Sequence, residues 1–330
     1  MVLQNKEERM RKILIFLLVI MLSGFVSQAV VGVRNLGYGD YGTRAIGMGE
    51  AYTAVSDDSG GIFFNPAGLA KIQPGVREGS FMLKANLRNE LSYDGAAFTA
   101  QSLQNEKNVR FTISEYLERR LKPPVNQSTV AYNFGIGMLF SSDRNRFEKN
   151  DFRIAVARKM HLFGQPDAAV LTGVKLGFTS YSNYLDSEGK LKNFNETTLG
   201  FGTIYQFSEF LDIGLSIDNL FADSPYKLPT VFTLGVALHI DETTLLALDG
   251  YNLVANKKVE GAEGDEAEFR IGLEKRFVEN NLTFRFGSKN GNFNMGFSMS
   301  VTPNFRMDYA YMGDYDSDVD QHFIGGSMLF

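Results

Sequence analysis

The stretch QHFIGGSMLF, residues 321–330, ends the chain and decides the fold. Its apolar residues Ile324, Met328 and Phe330 share one face of the alternating segment. Alternation of this kind predicts a strand with one face in an apolar medium. A last strand that finishes on an aromatic residue is typical of outer-membrane β-barrels, in which that residue lies in the interfacial girdle. We therefore expect Phe330 to mark the barrel terminus.

The same alternation recurs upstream, most clearly over residues 130–140, 232–240 and 292–301. Large apolar residues there alternate with Gly, Ser, Thr, Asn or Ala. Such segments number about 14 between residues 78 and 330, and their length of about ten residues suits a tilted membrane strand. A soluble two-sheet sandwich is the alternative, but its strands average about five or six residues. The expected fold is all-β, a membrane-spanning antiparallel β-barrel of about 14 strands.

The predicted connections alternate between short and long, as in bacterial barrels with short periplasmic turns and longer external loops. The short turns are Ser208–Phe210, Asp241–Glu242, Val278–Asn281 and Thr302–Pro303. The longer polar loops are residues 182–196, 220–229, 253–266 and 313–320. Residues 101–126 do not fit, because they are long yet fall on the periplasmic side. Within them, residues 114–121 have the pattern of a short helix capped by Ser114.

The N-terminus has the pattern of a cleaved secretory signal. A basic start, an apolar run over residues 13–22 and the small-x-small site Ser27–Ala29 follow one another. The run is shorter than the roughly 20 residues that span a bilayer; an anchoring amphipathic helix is the alternative. The chain has no cysteine, which excludes disulfides, thiolate metal sites and a lipidated N-terminal cysteine. We predict a signal peptide at 1–29, an N-terminal hatch or plug segment at 30–77 and a barrel at 78–330.

Several functional classes find no support in the composition and spacing. A formal net charge of −5 argues against a nucleic-acid partner. His161, His239 and His322 are too far apart for a metal motif, and His239 and His322 fall on polar strand faces as expected of lumen histidines. Residues 314–320 resemble the opening of a calcium loop but lack its glycine and final glutamate. We expect no enzyme activity, catalytic residue, metal site or cofactor.

Charged residues on the later strands share the face opposite the apolar one. A basic residue facing lipid at the bilayer midplane costs about 2–4 kcal/mol, so these side chains are expected inside the barrel. They either fill the lumen as ion pairs or line a solute path. Lys275 falls on the apolar face and is expected near the periplasmic end, where it can reach the interface. The predicted lumen charges are Asp249, Arg270, Glu274, Arg276, Arg285, Arg306 and Asp308.

Residues 42–70, GTRAIGMGEAYTAVSDDSGGIFFNPAGLA, precede the first predicted strand. Their many Gly and Ala residues allow close backbone packing. Asp57 and Asp58 precede Ser-Gly-Gly and indicate a turn. The sequence Asn65–Gly68 predicts a short helix with Asn65 as its cap and Pro66 at its first position.

This segment resembles the start of FadL-type outer-membrane proteins, and particularly their PorV/PorQ-like branch. Residues 215–221, 228–235 and 307–311 resemble further parts of that branch. The resemblance implies a 14-stranded barrel with residues 30–75 or so folded inside it as a hatch. By that analogy the hatch includes Asp57, Asp58, Asn65, Pro66, Ala67 and Gly68.

The resemblance also implies a function. FadL-type members admit hydrophobic molecules, typically long-chain fatty acids, whereas some PorV-like members receive exported proteins for a secretion system. The sequence leaves three hypotheses: a transporter or binder of hydrophobic small molecules, a secretion scaffold, and a purely structural barrel. The expected partners are outer-membrane lipid, a hydrophobic ligand or exported protein, and the barrel-assembly machinery, which would engage the C-terminal strand.

Overall fold

A computed structural model describes residues 41–72, 78–86, 92–103, 132–142, 148–162, 165–185, 191–221, 230–254, 267–277, 281–313 and 321–329. Within these ranges, antiparallel strands form one closed barrel, in which β1 pairs with β14 and every other pairing joins sequence neighbours. The prediction of an all-β barrel of about 14 strands is confirmed. The strands are β1 Glu78–Asn86, β2 Ser92–Leu103, β3 Tyr132–Ser142, β4 Glu148–Leu162, β5 Gln165–Leu185, β6 Leu191–Ser208, β7 Leu211–Leu220, β8 Val231–Asp241, β9 Thr244–Tyr251, β10 Glu268–Phe277, β11 Leu282–Lys289, β12 Asn292–Thr302, β13 Phe305–Met312 and β14 Gln321–Leu329.

Strand β12 illustrates how the sequence builds the wall. Met295, Phe297 and Met299 point outward and are 39–48% exposed. Asn294 and Ser298, on the alternate positions, are buried inside. Because a strand turns successive side chains to opposite faces, one alternating sequence supplies both an apolar outer wall and a polar lining.

Strand lengths divide the barrel into two parts. Strands β7–β14 contain 8 to 11 residues, close to the predicted ten, whereas β4, β5 and β6 contain 15, 21 and 18. The predicted length is wrong for these three. At about 3.3 Å per residue, β5 extends roughly 70 Å, more than a tilted strand needs to cross a hydrocarbon core of about 30 Å.

The two ends of the barrel differ in their connections. Residues 209–210, 242–243 and 303–304 form two-residue turns at one end, which we call the short-turn end. One turn at the opposite end is equally short: Asn290 and Gly291 have φ of 49° and 91°. Two successive positive φ values suit a tight hairpin between β11 and β12.

Residues 41–72, called here the inner segment, lie inside the barrel. They contain a short α-helix, Thr43–Gly47, and two 3-10 helices, Ser59–Ile62 and Pro66–Lys71. Most of their side chains are buried, and many pack against inward-facing residues of the wall. In the part of the chain that the structure covers, no helix is long and apolar enough to cross a membrane.

His322 corrects one prediction. It was expected in the lumen but shares its face with the exposed Ile324, while the intervening Phe323 is fully buried inside. The His322 ring nitrogen Nδ1 lies 2.7 Å from the Tyr309 hydroxyl, on the outer wall. An amphipathic ring can occupy the outer face near a strand end. The polarity of His322 alone therefore predicted the wrong face of β14.

Other predictions fall outside the described residues. They concern the signal peptide at 1–29, the helix at 114–121, the aspartate-rich loop at 314–320 and the terminal Phe330.

Candidate functional site

The backbone of the inner segment lies directly against glycines of the wall. An added Cβ at any of six inward-facing glycines would come within 3.1 Å of a backbone atom of the inner segment. A larger residue at these positions would push the segment away from the wall. The wall and the backbone of the segment are therefore shaped for each other at Gly173, Gly214, Gly235, Gly272, Gly287 and Gly296.

The motif Asn65–Gly68 shows this fit in detail. Asn65 caps the second 3-10 helix by accepting a hydrogen bond from Ala67 N at 3.1 Å, and Pro66 begins that helix, as predicted. The Asn65 amide also donates to Thr53 O at 2.8 Å. A Cβ on Gly68 would overlap the Ser56 carbonyl, so only glycine allows this fold of the chain.

Arg44 and Glu274 form the central contact between the inner segment and the wall. Arg44 Nε lies 2.7 Å from Glu274 Oε2, and Arg44 Nη2 lies 3.0 Å from Oε1. Arg285 Nε contacts the same Oε2 at 2.7 Å. Glu274 is thus a buried carboxylate shared between two guanidinium groups, which satisfies the strict requirement that buried charges be paired.

The predicted pair Asp57 and Asp58 faces the other side of Arg44. Arg44 Nη1 lies 2.5 Å from Asp57 Oδ1 and 3.3 Å from Asp58 Oδ2. Burial acts to raise the pKa of Asp57, but the charges of Arg44 and Lys71 outweigh it and lower that pKa below its usual value. Burial also raises the pKa of Tyr52, so its hydroxyl stays protonated and donates to Asp58 at 2.6 Å.

Near the end of the barrel opposite the short-turn end, Glu50 makes a second buried charge contact with the wall. Its carboxylate lies 3.1 Å from Arg270 and 3.0 Å from Lys289. Asp249 Oδ2 accepts hydrogen bonds from the backbone N–H groups of Tyr52 and Thr53, at 2.9 and 2.8 Å. Wall side chains thus satisfy both the charge and the backbone of this part of the segment.

The remaining predicted lumen charges form pairs along the wall. Arg306 Nε lies 3.1 Å from Asp308, and Arg276 lies 3.5 Å from Glu274. Ser298 bridges Arg285 and Asp308 through its hydroxyl. All seven predicted lumen charges lie on inward positions, and five of them join one network with Arg44: Glu274, Arg276, Arg285, Arg306 and Asp308.

The C-terminal part of the inner segment packs apolar side chains against small residues of the wall. Ile62 and Leu69 are fully buried in a cluster with Ala155 and Ala157 of β4. Ile62 also occupies the space that a side chain at Gly135 would need. Arg153 of β4 borders the cluster, with its Cζ 5.2 Å from the centroid of the Phe63 ring.

Polar contacts fix a few points of this part. Lys71 Nζ lies 2.8 Å from Asp212, whose carboxylate is 3.5 Å from His239 Nε2. His239 therefore does face the lumen. Lys175 Nζ donates to Phe63 O at 2.7 Å and is also 2.7 Å from Asp218.

Several lumen residues were not singled out from the sequence. Asp151, Arg153 and Lys175 occupy alternate positions of β4 and β5, so the alternation that found the later charges also applied to them. Arg153 pairs with Asp151 at 2.8 Å. Arg44 and Glu50 gave no such signal, because their partners on the wall, Glu274 and Arg270, lie more than 200 residues away.

Solved structures share this fold. The Ralstonia pickettii toluene transporter TbuX superposes with a TM-score of 0.54 and 13% identity, covering 88% of this chain and 97% of that one. The Pseudomonas putida toluene transporter TodX gives 0.52 and 11%, covering 92% and 98%. The CymD monoaromatic hydrocarbon channel gives 0.51 and 13%, covering 88% and 96%. No protein-family model and no curated protein matches the sequence.

Proposed function

We propose that the protein transports hydrophobic small molecules across the outer membrane, with the inner segment as its hatch. The observation that carries this proposal is a closed barrel with an apolar outer wall, whose lumen holds a segment packed by apolar contacts along one side. Its fold is that of barrels described as toluene transporters. In this proposal a signal peptide at 1–29 directs export, residues 30–77 form the hatch, and residues 78–330 form the barrel.

The apolar contacts indicate where a solute would pass. Withdrawal of residues 59–72 would uncover Gly135, Ala155, Ala157 and Leu139 on the inner wall, which are small or apolar. A hydrophobic molecule there would replace the contacts that Ile62 makes in the closed barrel. The pairs of Glu274 with Arg44 and Arg285 involve no residue of 59–72. Lys175 and Arg153, which contact Phe63, would keep the carboxylates Asp218 and Asp151 as partners.

A disulfide lock tests the hatch. Ser59 Oγ in the inner segment lies 2.6 Å from Ser80 Oγ on β1. Because the chain has no cysteine, S59C/S80C introduces the only thiols, placed for a sulfur–sulfur bond of about 2.05 Å. Proteoliposomes would be assayed for uptake of toluene and of a long-chain fatty acid.

We expect the wild type to take up at least one of these solutes. The oxidised S59C/S80C variant should lose uptake and regain it on reduction, while the S59A/S80A control should transport normally. Absence of uptake of either solute by the wild type would reject transport. Equal uptake by oxidised and reduced S59C/S80C would reject movement of the hatch at Ser59.

The secretion-scaffold hypothesis rests on the resemblance of residues 42–70 to the PorV/PorQ-like branch. Mass spectrometry of protein purified from its own outer membrane in mild detergent separates it from transport. A hydrophobic molecule at near-stoichiometric amount supports transport. A co-purifying exported protein or secretion component, without such a molecule, supports the scaffold. If the purified protein carries neither, the result supports a purely structural barrel.

A further inference from the structure

The outer wall carries very few charges. Over the strand positions whose side chains are described, outward-facing residues are mostly aliphatic, aromatic or small. The outward-facing cations among them are Arg158 on β4 and Lys275 on β10, paired across the sheet with Tyr132 and Phe284 respectively. A cation on this face must find an anion or polar group locally, because hydrocarbon offers none.

Lys275 finds its partners within the protein. Its Nζ lies 2.7 Å from the Thr243 hydroxyl and 2.5 Å from the Thr244 hydroxyl. Asp241 adds a carboxylate at 3.4 Å. These residues surround the turn between β8 and β9, so this cation is satisfied at the short-turn end.

Arg158 differs from Lys275 in lacking such partners. Its guanidinium lies over the Tyr132 ring, with Cζ 5.7 Å from the ring centroid. Its Nε is buried and has no hydrogen-bond acceptor, and no ion pair is formed with any described residue. Tyr132 therefore supports the flat face of the guanidinium, while the N–H donors remain for a group from outside the protein.

The position of Arg158 indicates where that group comes from. Arg158 lies four residues before Leu162, where β4 ends at the short-turn end. Four residues extend about 13 Å along a strand, or roughly 9 Å in height at a tilt of about 45°. A long arginine side chain at this depth reaches the headgroup layer on the periplasmic side.

We propose that Arg158, backed by the Tyr132 ring, binds the phosphate of a phospholipid in the periplasmic leaflet. The planar guanidinium presents a fork of N–H donors that matches phosphate oxygens, whereas an ammonium acts as a point charge. The proposal rests on the proposed membrane location but not on transport or on a moving hatch. Loss of the site should leave toluene uptake unchanged.

The test compares wild type, R158Q, R158K and K275Q. Each folded barrel is stripped of lipid in mild detergent and titrated with phosphatidylglycerol, and native mass spectrometry counts the retained lipids. K275Q is the matched control, since it also removes an outward-facing cation from the short-turn half. We expect R158Q to lose one tightly retained lipid, R158K to retain it more weakly than wild type, and K275Q to match wild type.

Equal retention by R158Q and wild type would overturn the proposal. An equal loss in K275Q would overturn it too, because the effect would then be one of net charge. A parallel titration with inorganic phosphate alone distinguishes the ligand source. Binding of free phosphate at Arg158 without retention of lipid would identify a free-anion site and reject the lipid site.

Discussion

The two halves of the inner segment differ in their ion pairs with the wall. Residues 43–53, the ion-paired half, contact the wall through Arg44–Glu274 and through Glu50 with Arg270 and Lys289. Residues 59–72, the apolar half, share one described ion pair with the wall, Lys71–Asp212. Breaking a buried ion pair strands a charge, whereas separating apolar surfaces lets another apolar molecule take their place. The difference in ion pairs is the basis for proposing that the ion-paired half is a fixed anchor and the apolar half a movable part.

The largest expected effect comes from removing the shared carboxylate of the ion-paired half. E274Q leaves Arg44 and Arg285 buried without their common counter-charge, which should cost about 3–5 kcal/mol of unfolding free energy. The matched control is E268Q, whose carboxylate pairs with Arg270 on the wall alone and is partly exposed. Denaturant unfolding in detergent measures both. A loss for E274Q no greater than that for E268Q would contradict the anchor.

A methyl group added to the wall should distinguish backbone contacts from side-chain contacts. In G173A the new Cβ would lie 2.5 Å from backbone atoms of Pro66 and Ala67, which cannot move by a change of rotamer. The free energy of unfolding should therefore fall by about 1–3 kcal/mol. In G135A the Cβ would meet the flexible end of Ile62 at 2.7 Å. We expect the smaller loss for G135A, measured by the same unfolding assay. The reverse order would show that the Ile62 side chain is packed more rigidly than the backbone of Pro66 and Ala67.

Trimming one methyl group from each half tests which half opens. I62V should cost about 0.5–1.5 kcal/mol and increase toluene uptake, because the contact with β4 weakens. I46V is the matched control, since Ile46 is equally buried but lies in the ion-paired half. Uptake by I46V should equal that of wild type. Faster uptake by both variants, or by I46V alone, would place the movement elsewhere.

The smallest expected effect concerns pH. Because the pKa of Asp57 is lowered on folding, its contribution to stability is complete above its unfolded pKa of about 3.9 and is lost as pH falls through the lower folded value. The unfolding free energies of wild type and D57N should therefore differ by a constant amount from pH 7 to pH 5. A difference that shrinks within this interval would show that Asp57 is not held ionised by Arg44.

The barrel could be predicted from the sequence because the side chains of its wall alternate between the two faces with a period of two residues. Met295, Phe297 and Met299 alternate with Asn294 and Ser298, and the inward charges keep the same parity. The last strand was harder to assign, since Gly325, Gly326 and Ser327 are small on both faces and Phe323 is an aromatic residue inside. His322 was misplaced there because its polarity outweighed its parity with Ile324.

The candidate site was only partly predictable. Local chemistry identified the Asn65 cap and the position of Pro66, since both act within a few residues. The contact of Arg44 with Glu274 depends on the path of the inner segment through the closed barrel, which no local pattern encodes. The glycines of the wall were visible in the sequence, but their role appears only when the segment lies against them.

Hydrogen exchange read by mass spectrometry tests the central claim most directly. The wild-type barrel, in lipid nanodiscs, would be compared with and without toluene. The account predicts that the backbone amides of residues 59–72 exchange faster with toluene present, while those of residues 43–53 stay protected. Equal protection of both halves with toluene, or exchange that rises first in residues 43–53, would contradict a fixed anchor joined to a movable half.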